Sequence, residues 1–264
     1  MKVERTRVVE NLQRLAAGLI ATSPAGHRLC LIGGFRYRLL NQSCRLSLDV
    51  DYHWDGGLDE KQAEILVLLR AKLLPEVKRR LGYDGDVGKA TGPDADSPSV
   101  KTVVMAFYRT GEAGGRIEIP VEITSIPSMD SPVVRTVAGT VYLTASDADM
   151  IESKVIALFN RTFVEARDIV DLFLFQDQFV ADSAGRLKAK LAELHIRAAS
   201  VADRCARLRA NRAVHARAIA EIIEDQIDAA VAANLKASGG GGMIFDAVMA
   251  VLRDRLGIEG EVEP

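Results

Sequence analysis

The chain has 264 residues, 34 of them basic and 36 acidic, and its formal net charge of −2 singles out no class of partner. With 48% hydrophobic residues it can bury a sizeable core, but no apolar run reaches the ~18 residues of a membrane span, and its three cysteines lack metal-site spacing. We therefore expect a cytoplasmic protein without a membrane partner, made of one large domain or two small ones.

The first part of the chain predicts a helix followed by a short buried strand. Residues 4–21 carry apolar side chains at helical spacing, namely Val8, Leu12, Leu15, Leu19 and Ile20. A turn leads into the strand Cys30–Ile32, which ends at the pair Gly33 and Gly34. Residues 35–40 have room for one or two helical turns.

The next predicted strand, over 45–52, alternates between polar and apolar side chains. Its two expected faces are Ser47, Asp49, Asp51 and His53 on one side, and Leu48, Val50 and Tyr52 on the other. Two carboxylates at this spacing lie roughly 6–7 Å apart, which is costly unless a cation neutralises them, and Mg²⁺ prefers such oxygen ligands. The backbone N–H groups of a Gly-Gly turn can closely approach a phosphate. Together these features predict metal-assisted phosphate chemistry.

Gly33-Gly34 followed by Ser47-x-Asp49-x-Asp51 resembles the pattern of the DNA polymerase beta-like nucleotidyltransferases. That superfamily carries a Gly-Gly or Gly-Ser pair, about a dozen residues, and an acid-x-acid pair on the next strand. The spacing here fits that pattern. On the residues alone, a turn beside a strand edge remains the structural alternative.

Residues 59–81 predict a long helix that Pro75 should kink or break, and residues 83–99 predict an exposed loop. Strands are expected over 100–108 and 116–124, joined by a hairpin connection over 110–115. On the second strand, Glu118 and Glu122 share a face. Two metal ions need a third carboxylate, and Glu122 is our choice because it lies deeper in the apolar run, with Glu118 in reserve. Pro120 favours an edge or a bulged strand.

From Ser146, a predicted N-cap, the chain reads as helical to its end, apart from a glycine run at 239–242. We therefore predict an α+β fold: a mixed sheet with flanking helices, followed by a C-terminal helical bundle. The expected domains are 1–143, which is the catalytic α+β domain, and 144–264, which is helical.

Within the helical half, Lys154 and Arg161 precede a run from Glu165 through Asp168 to Asp171. Together with the Gly-Gly, Ser-x-Asp-x-Asp and Val-Glu-Ile blocks, this order resembles the AbiEii/AbiGii family of nucleotidyltransferase toxins. Lys154, Arg161 and Asp168 are seven residues apart, so an uninterrupted helix would align them on one face. Such cations suit the phosphates of a nucleoside triphosphate. The structural alternative is that they are solvated helix residues.

The resemblance implies a toxin that transfers a nucleoside monophosphate from a nucleoside triphosphate to a hydroxyl, either at an RNA 3′ end, above all of tRNA, or less often on a protein. Two Mg²⁺ ions would be held by Asp49, Asp51 and Glu122. Gly33, Gly34 and Ser47 would contact phosphates, assisted by Lys154 and Arg161, and Asp168 would orient these cations or assist the attacking hydroxyl. A separate antitoxin is implied. Glu122 stands where the family commonly has Asp, and Phe35 where a small residue would leave more room.

Nine basic side chains lie between residues 186 and 217, against two acidic ones. Such a local excess suits a phosphate backbone, and we choose Arg204, Arg207 and Arg209 as candidate RNA-binding residues. The alternative is a solvated helix face.

Two other functions are possible for the chain. A small-molecule nucleotidyltransferase of the antibiotic-modifying type would need an acidic acceptor pocket, which this basic stretch argues against. A catalytically silent binding module is the third hypothesis.

Overall fold

The structure is a computed structural model that describes residues 2–91, 97–109 and 115–257. The chain divides into two compact units, Met1–Ile126 with Pro132–Ala145, and Pro127–Ser131 with Ser146–Pro264. Within the described residues, the first unit holds a seven-stranded mixed sheet and the second holds helices. The predicted α+β fold with C-terminal helices is confirmed. The domain bounds of 1–143 and 144–264 stay a prediction.

The first unit alternates helices with strands along the chain. Its helices are α1 (Lys2–Ala21), α2 (Gly33–Leu40), α3 (Leu58–Leu68) and α4 (Leu74–Leu81). Its strands are β1 (Cys30–Ile32), β2 (Val50–His53), β3 (Asp84–Lys89), β4 (Val100–Tyr108), β5 (Ile117–Thr124), β6 (Val133–Val137) and β7 (Thr140–Thr144). The strand order in the sheet is β3-β4-β5-β2-β1-β7-β6.

Strand β5 lies inside the sheet, so the expectation that Pro120 marks an edge strand is wrong. It pairs antiparallel with β4 and parallel with β2. The pairing with β2 begins at Val121, one residue after the proline, so the missing N–H falls just outside that ladder. The parallel register places Asp51 opposite Glu122.

One face of the sheet carries the core of the first unit. The apolar side chains of β2 and β5 are buried together with those of α1 and α3, and the most deeply buried of these residues are Leu12, Ile20, Val50, Ile65, Val121 and Ile123. Since successive side chains of a strand point to opposite faces, Asp51 and Glu122 lie on the other face. The core therefore fixes which side of the sheet presents the acids.

The predicted long helix over 59–81 is divided by a π-helical turn, Leu69–Leu73, that links α3 to α4. Pro75 lies at the start of α4 and has no N–H to donate to the preceding turn. The wider turn absorbs this defect, and Gly82 ends α4 in the left-handed region with φ +70°.

The prediction of a loop over 83–99 is partly wrong. Strand β3 forms within this segment and pairs antiparallel with β4. The glycines and aspartates of this segment favour turns, but the edge of β4 supplies backbone partners that override local preference. The hairpin connection expected over 110–115 lies largely outside the described residues. The hairpin of β6 and β7 was not expected from the sequence.

The second unit contains helices throughout its described part. They are α5 (Asp147–Asn160), α6 (Ala166–Leu174), α7 (Ser183–Glu193), α8 (Ala198–Ala210), α9 (Arg212–Gln226), α10 (Ala229–Ala237) and α11 (Gly240–Leu256). Ser146 caps α5 as predicted, because its hydroxyl accepts from the N–H of Asp149 at 3.0 Å. The glycine run starts α11: a Cβ at Gly241 would lie 2.0 Å from the carbonyl oxygen of Ala216, so glycine permits close packing on α9.

None of the described helices is by itself long and apolar enough to cross a membrane. By length and composition alone, the bent pair α10 and α11, which meet at 79°, passes the same test together.

Candidate active site

The Gly-Gly pair begins α2 and lies directly against polar groups that follow it in the chain. Gly33 has φ +75°, and a Cβ on it would lie 1.7 Å from Oδ2 of Asp51. A Cβ on Gly34 would lie 2.4 Å from Nη2 of Arg45 and 2.8 Å from Oγ of Ser47. Only glycine therefore fits at these two positions. The turn brings a carboxylate, a guanidinium and a hydroxyl to the first turn of a helix.

The strand predicted over 45–52 is shorter than expected, because regular pairing begins only at Val50. Val50 and Tyr52 are buried as predicted, but Leu48 is 55% exposed and does not join the core. The strict alternation between the two faces therefore fails before Val50. Asp49 precedes the strand, while Asp51 lies within it.

Gln13 of α1 explains the irregular segment. Its side chain is buried, and its Nε2 donates to the carbonyl oxygens of Ser47 and Asp49, both at 3.1 Å. These two bonds hold the backbone on either side of Leu48 and turn that side chain outward. A buried carbonyl without a partner would cost about 1–3 kcal/mol. Gln13 therefore stabilises the backbone of residues 47–49, which lies outside the regular pairing of the sheet.

The two aspartates have different surroundings. Asp49 is buried, and its Oδ1 accepts a hydrogen bond from the hydroxyl of Ser47 at 2.7 Å. Asp51 is half-buried, lies against Gly33, and pairs in register with Glu122 on β5. One turn, one irregular segment and two neighbouring strands thus link Gly33 to Asp51, Gly34 to Ser47, Ser47 to Asp49, and Asp51 to Glu122.

Glu118 has a different environment from Glu122 although both lie on one face of β5. It stands opposite Ala106, its side chain is 56% exposed, and its carboxylate pairs with Arg116 at 2.7 Å. The third-ligand assignment to Glu122 stays a prediction, and the register with Asp51 supports it.

Sequence reasoning missed Arg45 and Gln13. Arg45 is 3% exposed, its Nη1 donates to the carbonyl oxygen of Leu46 at 2.8 Å, and its position two residues before Ser47 was the available signal. Gln13 stands beside Leu12 in a buried stretch of α1, where a polar side chain needs a partner. Its partners could not be identified without the fold.

His53 has a structural role in the first unit. Its Nδ1 accepts from the N–H of Ile126 at 3.1 Å, and its Nε2 lies 3.0 Å from Asp55. Both ring nitrogens of this buried side chain therefore have partners within the first unit.

A second group of charges lies in the helical unit. Nζ of Lys154 lies 2.9 Å from Oδ1 of Asp168 and 3.0 Å from Oδ2 of Asp171, while Nη1 of Arg161 lies 2.7 Å from Oδ2 of Asp168. Both aspartates are almost fully buried. The contacts among Lys154, Arg161 and Asp168 occur, but the expected continuous helix is wrong: α5 ends at Asn160, Arg161 is extended, and Asp168 comes from α6.

Two of the nine basic side chains in 186–217 belong to a buried ion-pair network. Arg186 and Lys190 both contact Asp149 and Glu152, at 2.6–2.8 Å. Burial raises the pKa of Asp149, but hydrogen bonds from Lys190, Ser128 and two backbone N–H groups outweigh it and lower the pKa to about 2. These two cations therefore stabilise the fold of the helical unit.

The three candidate RNA-binding arginines also differ from one another. The guanidinium of Arg204 donates to the carbonyl oxygens of Leu158, Arg161 and Thr162, where it caps the C-terminal end of α5. Arg207 and Arg209 are exposed. Arg207 and Arg209 are therefore accessible to RNA, so the RNA-binding prediction stays a prediction for these two residues. The guanidinium of Arg204 already donates its hydrogen bonds to backbone carbonyls.

The donor set near the turn has oxygen ligands of the kind that Mg²⁺ prefers. In the described ranges, no three His, Cys, Asp or Glu side chains form a group that could hold a metal ion by themselves. Mg²⁺ is usually bound by one or two carboxylates together with substrate phosphates rather than by a protein cage. Asp51 and Glu122, adjacent in register, fit that mode of binding.

A family model identifies the family of the chain, and solved structures share its fold. A family model described as "Nucleotidyl transferase AbiEii toxin, Type IV TA system" matches residues 14–247. No curated protein matches the chain. A putative nucleotidyltransferase from H. pylori is 19% identical with a TM-score of 0.57, over 95% of this chain and 97% of that one.

Two further solved structures are similar. JHP933 from Helicobacter pylori is 18% identical with a TM-score of 0.55, over 96% of this chain and 95% of that one. MenT4, a nucleotidyltransferase toxin from Mycobacterium tuberculosis H37Rv, is 16% identical with a TM-score of 0.49, over 74% of this chain and 70% of that one. At these identities, the similarity of the two H. pylori structures concerns the fold.

Proposed function

The chain belongs to the AbiEii family of nucleotidyl transferase toxins of type IV toxin–antitoxin systems, and on that premise we propose that it adds a nucleoside monophosphate to the 3′ end of an RNA, with tRNA as the acceptor. Membership of the family implies an enzyme that transfers nucleotides, a nucleoside triphosphate substrate and an antitoxin. The RNA acceptor, the metal dependence and a cytoplasmic location are our proposals.

The observation that carries the proposal is the contact between the Gly33 turn and Asp51, with Glu122 beside Asp51 in the sheet. A helix start with a glycine turn offers backbone N–H groups to phosphates. Adjacent carboxylates offer oxygens to cations. Groups suited to a phosphate and groups suited to a cation are therefore adjacent, which supports a proposed transfer of a phosphoryl-linked group.

In the proposed reaction, the oxygen of the acceptor hydroxyl bonds to the α-phosphorus and its proton passes to water. The bond from that phosphorus to the bridging oxygen of the β-phosphate breaks, and pyrophosphate leaves. Asp49, Asp51 and Glu122 would hold Mg²⁺, which when bound neutralises charge on the α-phosphate and on the leaving pyrophosphate. Gly33 and Gly34 would bind the phosphates through the backbone. Ser47 orients the carboxylate of Asp49 through its hydrogen bond.

The helical unit would supply further positive charge. Lys154 is held by Asp168 and Asp171, and Arg161, with 43% of its side chain exposed, remains open to a ligand on its solvent side. We propose that these cations assist in triphosphate binding and that Asp168 orients them.

The proposal is tested by incubating the protein with each of the four α-labelled nucleoside triphosphates, Mg²⁺ and total RNA. Label should enter RNA from a preferred nucleotide and should be absent with the Asp51→Asn variant. Transfer of the label to a small cationic acceptor instead would identify the antibiotic-modifying type. Failure to bind Mg²⁺ and triphosphate would identify a silent binding module, and either result would overturn the proposal.

A further inference from the structure

A pocket of about 250 Å³ opens on the helical unit among α8, α9 and α11. Its basic lining residues are Arg209, Arg212 and Arg253, and its acidic one is Asp246. Phe245 and Met249 are less than a tenth exposed and form an apolar floor. Three positive charges against one negative charge give the pocket a net attraction for anions.

The helix dipole accounts for Arg209 and Arg253, which lie in the last turns of α8 and α11, but it does not account for Arg212. Arg212 occupies the first position of α9, where a positive charge opposes the helix dipole. It is oriented by Asp246 through two hydrogen bonds, of 2.8 Å and 2.5 Å. Gly242 leaves room for it, since a Cβ there would lie 3.3 Å from Nη2 of Arg212.

The other two arginines remain available for a ligand. Arg209 is exposed, and no carboxylate among the described residues forms an ion pair with it. Arg253 pairs with its neighbour Asp254 at 3.2 Å, but both side chains are more than half exposed, where such a pair contributes little. All three guanidinium groups are therefore more than half exposed or free of an ion pair among the described residues, and Arg212 differs in being oriented by two hydrogen bonds to Asp246.

We propose that this pocket binds the sugar–phosphate backbone of the acceptor RNA, an inference that rests on the proposed function. The guanidinium groups match phosphate oxygens in geometry and charge. Phe245 is 2% exposed and stacks on His215 at 5.7 Å, so it cannot present a ring face to a base. Contact is therefore with the backbone, and binding is insensitive to base sequence.

The test compares two double variants of the full chain that remove the same charge from the same basic stretch and its neighbourhood. Arg209→Gln with Arg253→Gln changes the pocket and keeps the Arg212–Asp246 pair. Lys188→Gln with Arg197→Gln changes exposed side chains that do not line the pocket. The dissociation constant for tRNA is measured by fluorescence anisotropy over a series of salt concentrations, after circular dichroism has shown that both variants are folded.

The pocket variant should bind tRNA roughly a hundredfold more weakly, because it loses two charge-assisted hydrogen bonds and each contributes about a factor of ten. Its salt slope should fall by about 0.7–0.9 for each lost phosphate contact. The control variant should keep the slope of the unchanged protein. Equal weakening of both variants, or unchanged affinity of the pocket variant, would overturn the proposal.

The same samples separate this proposal from the proposed function. The pocket variant should need more tRNA to reach half of its maximal rate of nucleotide transfer, whereas the control variant should keep the tRNA dependence of the unchanged protein, because its pocket, the turn at Gly33 and the acids are unchanged. Normal labelling of RNA together with unaltered tRNA affinity in the pocket variant would refute the pocket alone. Salt-dependent tRNA binding through the pocket without any labelling of RNA would support the pocket and refute the proposed function.

Discussion

At the scale of single residues, uncharged groups determine where the charged ones lie. Gly33 provides the space that the Asp51 carboxylate fills, and Gln13 holds the carbonyls of Ser47 and Asp49. Neither residue would attract attention as a catalytic group. Gly33 nevertheless lies directly against the carboxylate of Asp51, and Gln13 holds the backbone of Asp49.

Gly33→Ala should abolish nucleotide transfer because the new methyl group would displace Asp51. Gly82→Ala is the matched control: it also lies at positive φ, +70°, but a Cβ there meets nothing within 4 Å. Backbone strain alone should cost each variant about 1–2 kcal/mol, and Gly33→Ala should lose more because its methyl group clashes with Asp51, as measured by denaturant unfolding. Only Gly33→Ala should lose activity, and an active Gly33→Ala protein would contradict the assignment of this turn.

Glu122→Gln should lower the transfer rate by roughly 10²-fold or more, by analogy with the loss of one electrostatic contact in an active site. Glu118→Gln, on the same face of β5, should change it little, because that side chain is exposed and paired with Arg116. Steady-state rates of the two variants decide between the glutamates. The reverse order would transfer the third-ligand role to Glu118.

At the scale of elements, the helices α5 and α6 form the predicted contacts of Lys154 and Arg161 with Asp168, but not as one continuous helix. Spacing of seven residues suggested one helix for Lys154, Arg161 and Asp168, but the chain turns after Asn160 and α6 folds back on α5. The buried Lys154–Asp168 pair is what a helical hairpin with inward charges requires. Sequence spacing cannot distinguish these two geometries because both place the same residues together.

Lys154→Met should destabilise the protein by about 3–5 kcal/mol, because two buried carboxylates, Asp168 and Asp171, lose a cation. Arg161→Met removes a charge of the same sign from a side chain that is 43% exposed, and should cost less than about 1 kcal/mol. Urea unfolding of both variants measures the difference. Equal losses would show that burial does not govern this cluster.

The Asp149 network should make stability depend on acid. Because the folded-state pKa of Asp149 is lowered from 3.8 to about 2, its stabilisation is full above pH ~4 and is lost as the pH falls through that window. Between about pH 4 and pH 2, the free energy of unfolding should therefore fall less steeply for Asp149→Asn than for the unchanged protein. The two slopes should differ by the equivalent of at most one bound proton. Parallel curves for the two proteins would exclude this role of Asp149.

Much of the fold follows from local pattern, and the failures have physical causes. The apolar periodicity of α1 and the Ser146 cap are local and were predictable. By contrast, β3 depends on the edge of β4, and the outward turn of Leu48 depends on Gln13, 35 residues earlier in the chain. At the site, the glycine turn and the acids could be named from spacing, whereas Arg45 and Gln13 required the three-dimensional arrangement.

At the scale of the whole molecule, local charge is more informative than total charge. The net charge of −2 suggests no nucleic-acid partner, yet the basic stretch of the helical unit divides into buried structural pairs, a helix cap and an exposed remainder. Only the exposed remainder can bind a polyanion. We therefore propose that catalysis takes place at the Gly33–Asp51–Glu122 group and that exposed arginines of the helical unit bind RNA.

The most direct test of this central claim is mass spectrometry of the 3′-terminal fragment of tRNA after incubation with the protein, Mg²⁺ and nucleoside triphosphates. We predict a mass increase of one or more nucleoside monophosphates with the unchanged protein, and none with the folded Asp49→Asn variant. An unaltered tRNA 3′ end with the unchanged protein, or an equal mass increase with Asp49→Asn, would contradict the account.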